Sequence, residues 1–118
     1  MYGLPKDFNG SIFVKKEMIQ VCFNANQMIV HFEEGLSVIS MGSFGRASGK
    51  RDREIVHELP VTSSDIMELL GHVVMEALVE ENGILRLRFD NEQILTFYND
   101  KPNYESYHIQ MGKRTIIV

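Results

Sequence analysis

Only one cysteine, Cys22, occurs in the 118 residues. That excludes an internal disulfide framework and any metal site built from several thiolates. Tryptophan is absent, and proline occurs three times. No apolar run approaches the roughly 20 residues that a helix needs to cross a bilayer. The stretch Met1 to Gly10 carries Pro5, Lys6, Asp7 and Asn9, where a secretory leader would be apolar. The expected address is the cytoplasm. Cations are also scarce: 12 Lys and Arg face 16 Asp and Glu, for a net charge of −4. Phosphate affinity comes largely from clustered cations, so nucleic acid is not an expected main partner, and neither is a membrane. What is present, 44% hydrophobic residues, suits a single compact domain spanning residues 1–118. A chain of this size buries roughly two-thirds of its surface on folding.

Short apolar stretches separated by turn residues dominate the sequence, which predicts a mainly β fold. Met18 to Phe23 and Gln27 to Phe32 flank Asn24-Ala25-Asn26; Met75 to Glu80 and Ile84 to Phe89 flank Glu81-Asn82-Gly83. Leu85, Leu87 and Phe89 alternate with Arg86 and Arg88, the period of a half-buried strand. A two-residue Asn82-Gly83 turn would set carboxylates against the core. A three-residue loop instead places Val79 opposite Leu85, Ala77 opposite Leu87 and Met75 opposite Phe89, with Glu76 beside Arg88. Gly83 then takes the left-handed position that ends such a loop. Shifted by 57 positions the layout recurs, with Met18, Cys22, Met28, Val30 and Phe32 standing for Met75, Val79, Leu85, Leu87 and Phe89. This pattern predicts an internal repeat, residues 16–41 and 73–98. Each copy is read as a three-stranded antiparallel meander completed by Leu36 to Met41 or Ile94 to Tyr98.

Between the copies, Gly42 to Arg53 reads as a polar loop, Glu54 to Leu59 as a strand and the region after Ser63 as a helix. Asp65 and Glu68 mimic a capping box. Apolar spacing from Ile66 to Leu78 also permits one long helix over 65–79, but Gly71 costs about 1 kcal/mol relative to Ala in a helix interior. The preferred reading is one short helix ending near Gly71 and a strand after it. Tyr104 to Gln110 and Arg114 to Val118 add C-terminal strands, so the fold class is mainly β, or α+β with a single short helix.

Motifs for chemistry fail in turn. Gly42, Gly45, Gly49 and Lys50 suggest a phosphate loop, but Gly45 and Gly49 enclose three residues and Arg51 follows the lysine, so neither the nest nor the magnesium ligand forms. A milder reading is an anion-contacting loop of Arg46, Lys50, Arg51 and Arg53, diluted by Asp52 and Glu54. His31, His57, His72 and His108 offer no ligand pair from one element, and Val61 stands where a zincin needs its second histidine. No metal or other cofactor is expected. Cys22, placed with Met18 and Met28, reads as a small buried hydrophobe. Ser106 and His108 share a strand face, but roughly 7 Å of strand rise separates them. Glu33-Glu34 and Glu80-Glu81 sit at turns, where carboxylates are solvated.

The stretches Val21-Cys22-Phe23, Asn26-Gln27, His31-Phe32 and Gly35 to Val38, with Leu85 to Phe89, Tyr104 to Ile109 and Ile116 to Val118, resemble a small bacterial family of uncharacterised domains. The resemblance spans most of the chain and leaves out Gly42 to Arg53. It implies a small bacterial cytoplasmic protein and carries over no catalytic residue. Within it, Tyr104, Glu105, Ser106, Tyr107 and His108 form the candidate binding segment, since tyrosine joins a rigid apolar body to a hydroxyl. The expected function is a non-enzymatic protein-interaction module, in its specific form an immunity-protein-like inhibitor of a basic target. The alternative is a small-molecule binder or enzyme with a site between the two halves, recruiting His31, His108 or Tyr104. A homodimer through edge-strand pairing is a further expectation.

Overall fold

The computed structural model describes residues 10–24, 27–41, 44–47, 53–56, 65–80, 83–99, 107–112 and 114–118. Among the described residues ten strands form: β1 (Met18–Phe23), β2 (Met28–Phe32), β3 (Leu36–Ser40), β4 (Phe44–Ala47), β5 (Arg53–Val56), β6 (Val74–Val79), β7 (Leu85–Phe89), β8 (Ile94–Phe97), β9 (Tyr107–Met111) and β10 (Arg114–Ile117). Short 3-10 helices cover Gly10–Phe13, Glu33–Gly35 and Asp65–Leu69. The expected short helix is thus a 3-10 turn, and the rival long helix is excluded by β6. Gly71 decides the matter: its φ of +83° breaks the helical path.

The strands build two antiparallel sheets, ordered β1-β2-β3-β9-β10 and β5-β4-β8-β7-β6. Each sheet combines a meander from one half of the chain with a hairpin returned from the other. Their inner faces carry whole rows of apolar side chains, because paired residues across a sheet project to the same side. Val21, Val30, Val38, Ile109 and Ile116 make one such row, and Val79, Leu85, Phe97 and Phe44 another. The faces meet through rings: Phe32 stacks on Phe89 at 6.5 Å, Phe13 meets Phe32 edge-on at 5.6 Å, and Phe97 lies 5.7 Å from Tyr107.

The second hairpin has the expected loop. Glu80 N–H donates to Ile84 O, Gly83 N–H donates to Glu80 O, and Gly83 has φ +85°. Val79 faces Leu85, Ala77 faces Leu87 and Glu76 faces Arg88. Three expectations need correction. First, Phe89 pairs with Val74 rather than Met75, because a bulge between Val74 and Glu76 turns Met75 out to 49% exposure. Second, the first hairpin closes through Asn24 N–H to Gln27 O, one residue tighter than expected, and has a matching bulge between Met18 and Gln20. Cys22 consequently pairs with Ile29 and is half-buried on the outer face, while Val21 packs on the core. Third, the expected polar loop Gly42 to Arg53 contains β4, whose Phe44 is fully buried. A single phenylalanine suffices there because β5 and β8 flank this four-residue strand and satisfy its backbone.

The two sheets join along one seam. Lys15 N–H donates to Val74 O and Val74 N–H to Lys16 O; Gly71 N–H donates to Met18 O and Met18 N–H to His72 O. Each bond has a counterpart displaced by 56 residues with the partners exchanged, and Glu17 faces Val73, its own counterpart, at the centre. Lys15 and Gly71, also 56 apart, both adopt positive φ, +69° and +83°. The seam is thus reciprocal, with residues 15–18 and 71–74 exchanging roles in it.

Replacing Phe32 with alanine is expected to cost about 3–5 kcal/mol, since the ring is 1% exposed and touches both Phe13 and Phe89. Phe23→Ala, at an exposed position on edge strand β1, is expected to cost less than about 1.5 kcal/mol. Urea unfolding of the two variants reads the difference.

Candidate functional site

Of the expected binding segment, Tyr104, Glu105 and Ser106 lie outside the described residues. Tyr107 is fully buried on β9, where its hydroxyl donates to Gly83 O at 2.6 Å. Its ring offers no outer surface; it ties the end of one sheet to the loop of the other. Desolvation raises its pKa well above the ordinary tyrosine value. His108 is half-buried on the outer face of the same strand, in a transverse row of Cys22, Ile29, Ile39, His108 and Ile117. Its Nε2 atom is buried and has no hydrogen-bond partner among the described residues.

The expected anion-contacting loop resolves differently. Arg46 and Arg53 belong to paired strands β4 and β5, in the register Arg46↔Glu54 and Ala47↔Arg53. Lys50 and Arg51 lie outside the described residues. The histidines remain separate: His31 Nδ1 shares a hydrogen bond with Ser37 Oγ at 2.9 Å, and His72 Nδ1 pairs with Asp90 Oδ1 at 2.7 Å. His57 lies outside the described residues. Among the described residues, no group of three His, Cys, Asp or Glu side chains converges as a metal site.

Two surfaces do come together. One is the outer side of the seam. In an antiparallel ribbon centred on Glu17 and Val73, Met18 and Val74 are buried in the core, Lys15, Ile19 and Met75 are exposed, and Glu17 and Val73 are half-buried. The bulges reinforce this by re-aiming Ile19 and Met75, which are 53% and 49% exposed. Beside Ile19, the hydrogen bond from Gly71 to Met18 brings up the end of the 3-10 helix. There Met67 and Leu70, 46% and 39% exposed, fall three residues apart and so on one side of the turn. The carboxylates of Glu68 and Glu76 stand exposed on the same elements.

The second surface is a groove of about 270 Å³ lined by Ile12, Lys16, Glu34, Leu36 and Met111. Lys16 Nζ and a Glu34 carboxylate oxygen lie 3.7 Å apart at its mouth. Neither surface contains His31, His108 or Tyr107. Both were missed in the sequence, although a signal for the seam exists there. Met18-Ile19 and Val73-Val74-Met75 are apolar runs that break strand alternation at equivalent points, as a bulge requires.

Compared with known proteins, the chain matches no family model, no curated protein and no solved structure.

Tyr107→Phe is expected to cost about 1–3 kcal/mol, because the Gly83 carbonyl loses its buried donor. The raised pKa sets a sign as well. The folded state holds the phenolic proton more tightly than the unfolded chain, so this contribution is intact below about pH 10 and lost as pH rises further. Wild-type stability is therefore expected to fall more steeply above about pH 10 than that of Tyr107→Phe, as read by urea unfolding across the alkaline range.

Proposed function

We propose that this chain is a non-enzymatic protein-interaction module that engages its partner through the outer side of the seam. The observation that carries this reading is that Ile19, Met67, Leu70 and Met75, all exposed, stand on the segments that form the junction of the two sheets. Exposed apolar side chains scattered singly need no explanation, whereas several on neighbouring segments point to a contact surface. Methionine is well suited to such a surface, because its flexible thioether adapts to a partner's contours. The seam itself is held by main-chain hydrogen bonds from both halves, so little ordering cost attends binding.

Charge narrows the partner. Glu17, Glu68 and Glu76 stand on the same segments as the apolar side chains, Glu76 beside Arg88 at 3.9 Å, and the chain carries a net charge of −4. An apolar surface with a basic rim is the complement, and long-range attraction would steer its approach. A small acidic inhibitor of a basic protein, in the manner of a bacterial immunity protein acting in the cytoplasm, fits these requirements. The reciprocal hydrogen bonds at the seam also support tandem duplication as the origin of this surface, with Ile19 and Met75 as counterparts.

Co-purification from the native host followed by mass spectrometry tests the proposal. A stoichiometric basic partner is expected for the wild-type chain. Ile19→Asp combined with Leu70→Asp is expected to weaken capture by at least about thirtyfold, as loss of a hot-spot anchor does. Ile117→Asp, on the distant edge strand β10, is expected to leave capture unchanged. Recovery of no stoichiometric partner, or capture indifferent to the seam variants, overturns the proposal. A dimer in light scattering that the seam variants dissociate would assign the same surface to a second copy.

A further inference from the structure

The groove beside the 3-10 helix Gly10–Phe13 is a distinct feature, and nothing in the seam reading depends on it. Its walls come from both halves of the chain: Ile12, Lys16, Glu34 and Leu36 from the first, Met111 from the returned strand β9. The apolar members are an isoleucine, a leucine and a methionine, with Leu36 at 4% exposure. At the mouth stand one cation and one anion, Lys16 with a side chain 23% exposed and Glu34 with one 78% exposed. Their separation of 3.7 Å exceeds a hydrogen bond, so each charge has unused capacity. Glu34 adopts a φ of +63°, a conformation uncommon for a residue with a side chain, and it lines the groove.

The opposite half carries different side chains at the corresponding sequence positions. The counterparts of Ile12 and Leu36, displaced by 56 and 57 residues, are Glu68 and Gln93, joined by a hydrogen bond of 3.1 Å. The counterpart of Lys16 is His72, already held by Asp90 at 2.7 Å. There polar side chains satisfy one another. In the first half, a groove lined by buried and partly buried apolar side chains lies beside two complementary charges.

We propose that this groove binds a small zwitterion with an aliphatic or thioether side chain, an L-amino acid of the leucine or methionine type. Its carboxylate meets Lys16, its ammonium group meets Glu34, and its side chain lies against Ile12, Leu36 and Met111. An exposed ion pair contributes little, so the ligand's two charges replace it at small cost. The volume lies just below the roughly 300–1,000 Å³ range of drug-sized sites, which suits a ligand of this size.

Titration followed by methyl NMR tests the assignment. L-leucine and L-methionine are expected to shift the Ile12, Leu36 and Met111 methyl signals saturably, with a Kd on the order of 1 mM for so small a ligand. N-acetyl-leucine and leucinamide, each lacking one charge, are expected to bind at least roughly tenfold more weakly. Lys16→Met and Glu34→Gln are each expected to weaken binding by a similar factor while leaving the unfolding midpoint near wild type. If Lys16→Met fails to fold, the exposed Glu34→Gln decides alone. Absence of saturable shifts at roughly 20 mM amino acid, well above the expected Kd, overturns the proposal. Equal binding by the blocked analogues overturns it as well.

Discussion

Everything in this structure is arranged around four main-chain hydrogen bonds where residues 15–18 meet residues 71–74. Strand edges are liabilities, because unpaired N–H and C=O groups invite pairing with other chains. Here two edges are turned on each other, and the contact is reciprocal: every donor on one side is matched by its counterpart on the other. The geometry explains several local oddities at once. Lys15 and Gly71 must adopt positive φ to bring their N–H groups into the seam. The strands that leave it must then bend to rejoin their own sheets, which accounts for a bulge immediately after Met18 and another after Val74.

The bulges bear on how much of the fold could be read from residue order. Alternation in β2 and β7 was plain, since each packs one face on the core and is flanked by paired strands on both sides. The loop ending in Gly83 was equally plain, because only one loop length keeps carboxylates out of the core. Met75 and Cys22 were placed on the wrong face for one shared reason. A single extra residue in a strand inverts every later position, and period-two reasoning does not register it. Strand β4 was hidden for another reason: its stability resides in neighbours recruited from far along the chain. Phe44 alone, among glycine and serine, carries too little local pattern to declare a strand.

The candidate surfaces were harder to read than the fold. Tyr107 drew attention through its chemistry, yet burial and the hydrogen bond to Gly83 make it a clamp between layers. Ile19 and Met75 carry no chemistry at all, and what sets them apart is exposure where an unbroken strand would have turned one of them in. The groove depends on Met111 reaching Ile12 across most of the chain's length, a proximity that only the three-dimensional arrangement supplies.

The exchange of hairpins between halves has a consequence for how this chain acquires its shape. Strands β9 and β10 complete the sheet begun by β1, β2 and β3, while β4 and β5 complete the other. Neither half therefore contains a finished layer, and a ribosome that has released only the first sixty or so residues has delivered two unfinished ones. Productive folding must wait for the carboxy-terminal strands to emerge, and pairings of such long sequence separation close slowly. During that interval the apolar row on β3 has no neighbour to cover its edge, which makes synthesis rather than the mature state the moment of greatest aggregation risk.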